Sequence, residues 1–287
     1  MTTAIAGTVY LVGAGPGDPE LLTLKAARLL AQASIVLHDD LVPESILHLA
    51  GEQALIVSVG KRCGRKKITQ AAIHEMMISS ARQGLAVVRL KSGDPMIFGR
   101  AGEEIDALRA AQIPFEIVPG VTAASSAAAL LGASLTDRRL ASKLIVLSGH
   151  HAAGETPEHA FGSQPVPEDA TLAIYMPGPD LARAAVALLQ GGLPGSMPCV
   201  VVRDASRPAA GYRAFRLNAL SELPASRGPR LLLVGRVFES VLLRGSSISE
   251  GQLESRDQFA PRQAAQDSAQ TRDVVARVAA LAAARCE

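Results

Sequence analysis

The sequence predicts an α/β fold made of two α/β domains, and three observations carry that expectation. Short β-branched runs alternate with helical stretches through the first half, a pattern that places a parallel sheet between layers of helix. A second set of strand-like runs follows the small-residue segment GVTAASSAAALLGAS at 120–134, where the two halves join. Beyond Val241 the composition shifts to Ser, Gln, Ala and Arg, too polar to bury a core of its own. The expected division is therefore 1–123, 124–244 and a tail at 245–287.

Taken in order, VYLVGA at 9–14 is a strand by its β-branched and aromatic content, and ELLTLKAARLLAQA at 20–33 has the apolar recurrence of a helix. ASIVLHD at 33–39 and ALIVSVG at 54–60 are strands, QAAIHEMMISSARQG at 70–84 a helix, and AVVRLK at 86–91 a strand. AGEEIDALRAAQ at 101–112 is the next helix and FEIVP at 115–119 the next strand. In the second half LIVLSGH, TLAIYM, PCVVVRD and RLLLVGR are strands, and DLARAAVALLQGG at 180–192 is a helix. Within the tail, TRDVVARVAALAAARCE reads as an Ala-driven helix capped by Thr271, with Val274, Val275, Val278 and Leu281 on one face. It either docks on the body or stands free in solution, and its alanine content favours the second.

Composition excludes several classes. A chain of 287 residues with net charge +2 has room for two cores and no strong global field, and with no Trp and 3% aromatic residues it lacks stacking surface for nucleic acid. No run is long and apolar enough to span a bilayer, and the N-terminus lacks a basic segment followed by an apolar one, so no membrane partner is expected. Cys63, Cys199 and Cys286 are odd in number and lie far apart, which argues against a disulfide framework and for the cytoplasm. Cys63 beside Arg62 is read as a structural thiol rather than a reactive one. Adjacent His150 and His151 would point to opposite sides of an extended chain, and no metal site is expected.

The richest stretch is RLKSGDPMIFGRAGEE at 89–104. It sets a Gly-Asp-Pro turn directly after a strand and loads the following turn with Arg100, Glu103 and Glu104. Glycine there admits a ligand close to the backbone, the carboxylate offers hydrogen bonds to hydroxyls, and Pro95 fixes the next φ. Near the N-terminus GAGPGD resembles a dinucleotide-binding turn, but the third glycine of that fingerprint would fall on Asp18, and position 16 is proline. Asp39 and Asp40 stand where a ribose-binding acid would be, which keeps an NAD-dependent dehydrogenase as the least favoured alternative.

VYLVGAGPGDPELLTLKAARLL, IVLHDDLVP, VGKRCG, RLKSGDPMIFGRAGEE, EIVPGVTAASSAAALLGASLTDR, LIVLSGH and TLAIYMPG occur in the order found in tetrapyrrole methylases, which the chain resembles from about Val9 to Val237. The VGKR segment is similar to the uroporphyrinogen-III C-methyltransferases of that group, which make precorrin-2. The resemblance implies a class III methyltransferase fold of two α/β domains with a cofactor cleft between them, the substrate and cofactor face on the first domain, S-adenosylmethionine as cofactor with S-adenosylhomocysteine as product, an anionic tetrapyrrole as substrate, and a homodimer. It assigns Pro16, Ser92, Gly93, Asp94, Ile97, Thr122, Ala123, Met176 and Ala205 to the cofactor pocket. Asp39 aligns with the family's candidate base and Lys61 with its proton donor, although Asp39 at a strand end also suits a helix cap. Arg100 and Arg138 match arginines near the macrocycle, Glu103 a carboxylate in the same region, and Arg62 belongs to a basic run with Lys61, Arg65, Lys66 and Lys67.

Such a reaction needs no metal, because the sulfonium is already activated and the pyrrole carbon is the nucleophile. The protein aligns and dehydrates the pair, and a carboxylate removes the proton left on the methylated carbon. Arginines suit the carboxylate arms of the macrocycle. The chain departs from the family's pattern at His38 for Tyr, at Ser92 and Met96 within GGDPF, at Ala101 within GRGGEE, at Asp137 and Arg139 within Thr-His-Arg-Asp, and at Ala205 for Gly. Those departures keep two alternatives in view, a paralogue acting on another precorrin and a non-catalytic tetrapyrrole-binding protein.

Overall fold

The structure, a computed structural model, describes residues 3–60, 68–149, 165–225 and 228–245. Lys61, Arg62, Cys63, Arg65, Lys66, Lys67, His150, His151, Cys286 and the expected helix at 271–287 lie outside the described residues. Two compact units result, the first ending at Thr122 and the second beginning at Ala123.

In the first unit β1 (Val9–Gly13), β2 (Ile35–His38), β3 (Leu55–Ser58), β4 (Val87–Lys91) and β5 (Phe115–Val118) form one sheet in the order β3-β2-β4-β1-β5. Every pairing is parallel. On one face Tyr10, Val12, Val36, Val88 and Leu90 pack against α1 (Leu24–Gln32) and the short α2 (Glu44–Leu47). On the other, Val9, Leu11, Ile35, Leu37 and Val87 pack against α3 (Gln70–Arg82) and α4 (Ala101–Ala110). Even and odd positions thus serve different layers, as the two-residue strand period requires, and both are apolar because both faces are covered. Helices start where a hydroxyl can take an orphan N–H: Thr23 accepts from Ala26 N and Thr69 from Ala72 N. Thr23 is why α1 begins later than the periodicity suggests; Pro19–Leu21 forms a separate single turn capped by Asp18.

The sheet order places β4 between β1 and β2, whereas a dinucleotide-binding sheet keeps those two adjacent. Asp39, just past β2, is thereby two strands away from the glycine turn after β1, which removes the ribose-binding arrangement.

The second unit is a mixed sheet: β6 (Lys143–Ser148), β7 (Ala170–Tyr175), β8 (Pro198–Arg203), β9 (Gly211–Arg216) and β10 (Arg230–Val234) in the order β6-β7-β10-β8-β9. β6 and β7 are parallel and the remaining pairs antiparallel. α6 (Ala182–Gln190) and a turn at Leu217–Glu222 cover one face; α5 (Ala123–Leu131) and α7 (Glu239–Arg244) cover the other. The small-residue segment read as a junction is largely α5, whose Ala124 and Ala127 let it sit close to Ala173, Val200 and Leu233. β9 escaped the sequence pattern because Arg213 and Arg216 interrupt its apolar alternation; Arg213 instead lies over the Phe215 ring at 4.7 Å. Among the described residues no helix is long and apolar enough to cross a membrane.

Cys199 in β8 is fully buried beneath α6, with its thiol directed to Met197 O at 3.6 Å. Burial pushes that thiol up to about 12, so the reactive thiolate is scarce at neutral pH. The peptide carrying Cys199 should remain unalkylated by iodoacetamide in native buffer and react fully in denaturant, as read by mass spectrometry.

Candidate functional site

Crossovers leave β1 and β4 toward opposite sides of the first sheet, β1 to β2 and β4 to β5, so a crevice opens outside their C-terminal ends. The loops there are tied together: Gly93 N donates to Gly15 O at 2.7 Å, Gly15 N to Gly93 O at 3.1 Å, and Ala14 N to Lys91 O at 2.7 Å. A Cβ on Gly13 would lie 2.6 Å from Gly120 Cα and 2.7 Å from Gly93 O, and one on Gly120 would lie 2.3 Å from Gly93 O. Three chain segments therefore cross at a separation only glycine permits. Gly93 itself has φ +69 and nothing within 4 Å of where a side chain would project, so backbone and open space meet at this point.

Asp94 braces this crossing, its Oδ2 accepting Gly120 N at 3.0 Å and its Oδ1 accepting Met96 N at 2.7 Å. Pro16 and Ser92 are half-buried beside it, and Ile97 is 37% exposed. Thr122 closes the first unit. An open glycine cradle with an apolar flank fits a ligand with a polar amino-acid part and an adenine, which is the make-up of S-adenosylmethionine.

Behind the crevice lies a buried charge network that sequence reasoning did not assemble. Odd positions of β4 face α4, and two of them are Arg89 and Lys91, 3% and 1% exposed. Glu104 on α4, 0% exposed, accepts Arg89 Nε at 2.9 Å, Lys91 Nζ at 2.8 Å and Gln70 Nε2 at 3.3 Å. Arg89 also donates to Asp39 Oδ1 at 2.5 Å. The four charges cancel, as burial demands. Burial opposes the charge of Arg89, but Asp39 and Glu104 outweigh it and raise its pKa; burial first and Arg89 second lower that of Lys91 against the pull of Glu104. The clue was visible as two cations at alternate positions of an otherwise apolar strand, followed by an acid in the first turn of a helix.

The Asp39 side chain, 31% exposed, caps no helix: α2 starts after Pro43 without a side-chain cap. Next to it the buried His38 ring has Nδ1 3.0 Å from Asp39 O.

Arg100 stands at the start of α4 with φ +56 and forks onto Glu103 through Nε and Nη2, both at 2.7 Å. The hydrogen bond to Glu103 raises its pKa, and the pair is about half exposed, a geometry open to exchange with another carboxylate. Arg138 is exposed in the turn bridged by Asp137 and Ala141. Its neighbour Asp137 is forked by Arg139 at 3.1 and 2.9 Å and held near 2 by those hydrogen bonds, so its charge is already matched.

In the second unit the ends of β7 and β8 and the start of β10 share one edge, since Tyr175 pairs with Leu231 and Arg203 with Arg230. Met176 follows β7 with φ +49, and Ala205 follows β8 between Asp204 at φ +46 and Ser206 at φ +65. Left-handed backbone at non-glycine residues costs about 1–3 kcal/mol each and clusters at functional loops. Tyr175 OH accepts Ala124 N at 3.0 Å, which brings the start of α5, and so Ala123, to the same edge. Cofactor-pocket candidates thus fall into two groups, one at an edge of each sheet. Lys61 and Arg62 lie outside the described residues.

Paired α/β units with a glycine crossing at the switch point of the first define the fold of the class III methyltransferases. The chain belongs to the family Tetrapyrrole (Corrin/Porphyrin) Methylases, which it matches over residues 8–220. It is similar to the S-adenosyl-L-methionine-dependent uroporphyrinogen III methyltransferase, chloroplastic, of Arabidopsis thaliana, with 41% identity over 81% of this chain and 64% of that protein. Siroheme synthase 1 of Halorhodospira halophila is 43% identical over 80% of this chain and 48% of that protein. The chain spans about half to two thirds of the length of these relatives. Its fold matches the crystal structure of uroporphyrin-III C-methyl transferase from Thermus thermophilus complexed with S-adenyl homocysteine, with a TM-score of 0.70, 40% identity, and coverage of 81% of this chain and 99% of that one.

Burial holds His38 below its ordinary 6.5, against the opposing pull of Asp39 and Asp40 and with help from Arg89. Above 6.5 the ring is neutral in both folded and unfolded chain; as pH falls below it, the unfolded chain binds a proton that the buried ring resists, and stability drops. Wild type should therefore lose more melting temperature than His38→Gln between about pH 7.5 and 5.5 in parallel thermal unfolding. Equal losses would mean that His38 titrates as if exposed.

Proposed function

We propose that the chain is an S-adenosylmethionine-dependent C-methyltransferase that converts uroporphyrinogen III to precorrin-2 by way of precorrin-1, for sirohaem, cobalamin or haem d1-type synthesis. The observation that carries this is the cradle at Gly93, with open space above it and the Asp94 brace below. When bound, the cofactor supplies an activated methyl group on a sulfonium. The residues proposed to hold it are Pro16, Ser92, Gly93, Asp94, Ile97, Thr122, Ala123, Met176 and Ala205, as the resemblance to the family assigns them. Gly93, its N–H and C=O paired with Gly15, leaves open space beside its backbone for the ligand, and exposed apolar side chains such as Ile97 and Met176 suit an adenine.

The substrate's pyrrole carbon attacks, so this chain's residues bind, orient and deprotonate rather than attack. Arg100 would exchange Glu103 for a carboxylate arm of the macrocycle, and Arg138, with Asp137 already matched by Arg139, would take another. Asp39, fixed through Oδ1, would accept the proton that leaves the methylated carbon, with Lys61 as donor elsewhere on the ring and Arg62 as a further carboxylate contact. The same proposal includes a homodimer as the working form, an anionic tetrapyrrole as partner and the cytoplasm as location, the last supported by the unpaired, buried Cys199.

Incubation of the pure protein with S-adenosylmethionine and enzymatically generated uroporphyrinogen III should yield a product heavier by two methyl groups, with S-adenosylhomocysteine released. No mass gain, together with no thermal stabilisation by S-adenosylhomocysteine at about 100 times a micromolar dissociation constant, where linkage gives about 2.7 kcal/mol, would sink the proposal. Asp39→Asn should lower turnover on the order of 10²–10⁴-fold with cofactor affinity retained. Arg100→Ala should act on the tetrapyrrole instead, raising its Michaelis constant while leaving cofactor affinity unchanged, because a forked carboxylate contact is removed.

A further inference from the structure

Arg89 satisfies each face of its guanidinium separately. Nε donates to Glu104, Nη1 reaches Leu37 O and Leu90 O at 3.3 Å each, and Nη2 donates to Asp39 Oδ1 at 2.5 Å. One side chain thus stitches together α4, β4 and the end of β2, where Leu37 is its register partner. Core packing does not call for a cation at this place. Its neighbours on that face include Leu11, Leu37 and Val87, and a buried ion pair replaced as a whole by apolar side chains is often no less stable, whereas removal of one partner leaves the other's charge uncompensated.

Nor does Glu104 depend on Arg89, since Lys91 Nζ lies 2.8 Å from Oε2 and Gln70 Nε2 is 3.3 Å from Oε1. What Arg89 alone does is reach Asp39, the one member of the network with substantial exposure, 31% of its side chain. Asp39 is the first residue beyond β2, where the chain leaves the sheet and a carboxylate would otherwise turn freely. It is pinned at two points, its N–H on Leu90 O at 3.1 Å and its Oδ1 on Arg89. A lysine could supply the charge but not contacts in three directions at once.

We propose that Arg89 is a positioning residue for methyl transfer, holding one oxygen of Asp39 against the sheet so that the other faces the substrate carbon whose proton it takes. This rests on the proposed role of Asp39 as proton acceptor. Glu104 and Lys91 form the rigid base on which Arg89 stands, and the net neutrality of the four groups lets the base sit in an apolar layer.

The test uses the full chain and steady-state kinetics with uroporphyrinogen III and S-adenosylmethionine for wild type, Arg89→Met, Arg89→Lys, Asp39→Asn and the two doubles with Asp39→Asn, normalised to folded protein by circular dichroism. Arg89→Met should lower kcat about 100-fold, the cost of misplacing a catalytic group by roughly 1 Å, while KM for both substrates stays within about threefold. Arg89→Lys should recover part of that loss. In the Asp39→Asn background neither substitution should lower kcat further, because Arg89 acts only through the carboxylate. An equal loss in that background, a loss confined to KM, or wild-type kcat in Arg89→Met would overturn the inference while leaving Asp39 as base. Wild-type turnover in Asp39→Asn would instead remove the base role and the inference with it. Should Arg89→Met fail to fold, Arg89→Lys and its double decide on the same terms.

Discussion

The C-terminal edge of the first sheet depends on three backbone segments passing so close that no side chain fits between them. Gly13, Gly93 and Gly120 end or follow β1, β4 and β5, and a Cβ on the first or last would sit 2.3–2.9 Å from the nearest backbone atoms of the others. The paired hydrogen bonds between Gly15 and Gly93, and the Asp94 brace onto Gly120, exist because that approach is allowed. With a side chain at the crossing the loops would separate, the brace would open, and the crevice at the switch point would lose its floor.

A second constraint operates one layer deeper. The parallel sheet is buried on both faces, so any charge set on β4 must be neutralised inside the protein. Arg89 and Lys91 meet that requirement with Glu104 and Asp39, and the geometry of neutralisation leaves only the last of these partly in contact with solvent. Electrostatic necessity and placement of a candidate base are thus one arrangement. The glycine crossing brings the loops together, and the charge network fixes what stands beside them.

The alternation of strands and helices was legible because the first sheet obeys the simplest rules: parallel strands, covered faces, hydroxyl caps. The glycine turns and the block at 89–104 stood out as a candidate site because glycine followed by aspartate and proline after a strand marks backbone that a ligand can approach. What escaped were features that arise only when distant segments meet. β9 carries arginines that mask its period, and its place at the sheet edge is set by β8 rather than by its own composition. The network of Arg89, Lys91, Glu104 and Asp39 spans 65 residues of chain, from Asp39 to Glu104, and local periodicity contains no term for it. Asp94 read as a ligand for hydroxyls, yet its two oxygens brace backbone; a short carboxylate after glycine has the same local pattern for either task.

The chain's departures from the tetrapyrrole methylase pattern become intelligible against these constraints. Ser92 replaces the first glycine of the family's pair, but the carbonyl that enters the crossing belongs to Gly93, which is kept with Gly13 and Gly120. Asp137 brings a negative charge to the turn that carries Arg138, and Arg139, also a departure, forks both of its oxygens while Arg138 stays exposed. Ala205 adds a methyl between two residues that already accept left-handed backbone, so the turn holds its shape without glycine. At Ser92, Asp137 and Ala205 a neighbouring group absorbs the change, and glycine stands at 13 and 120, where a Cβ would meet backbone. These three departures therefore leave the glycine crossing and the Arg138 side chain in the state that a working pocket would need.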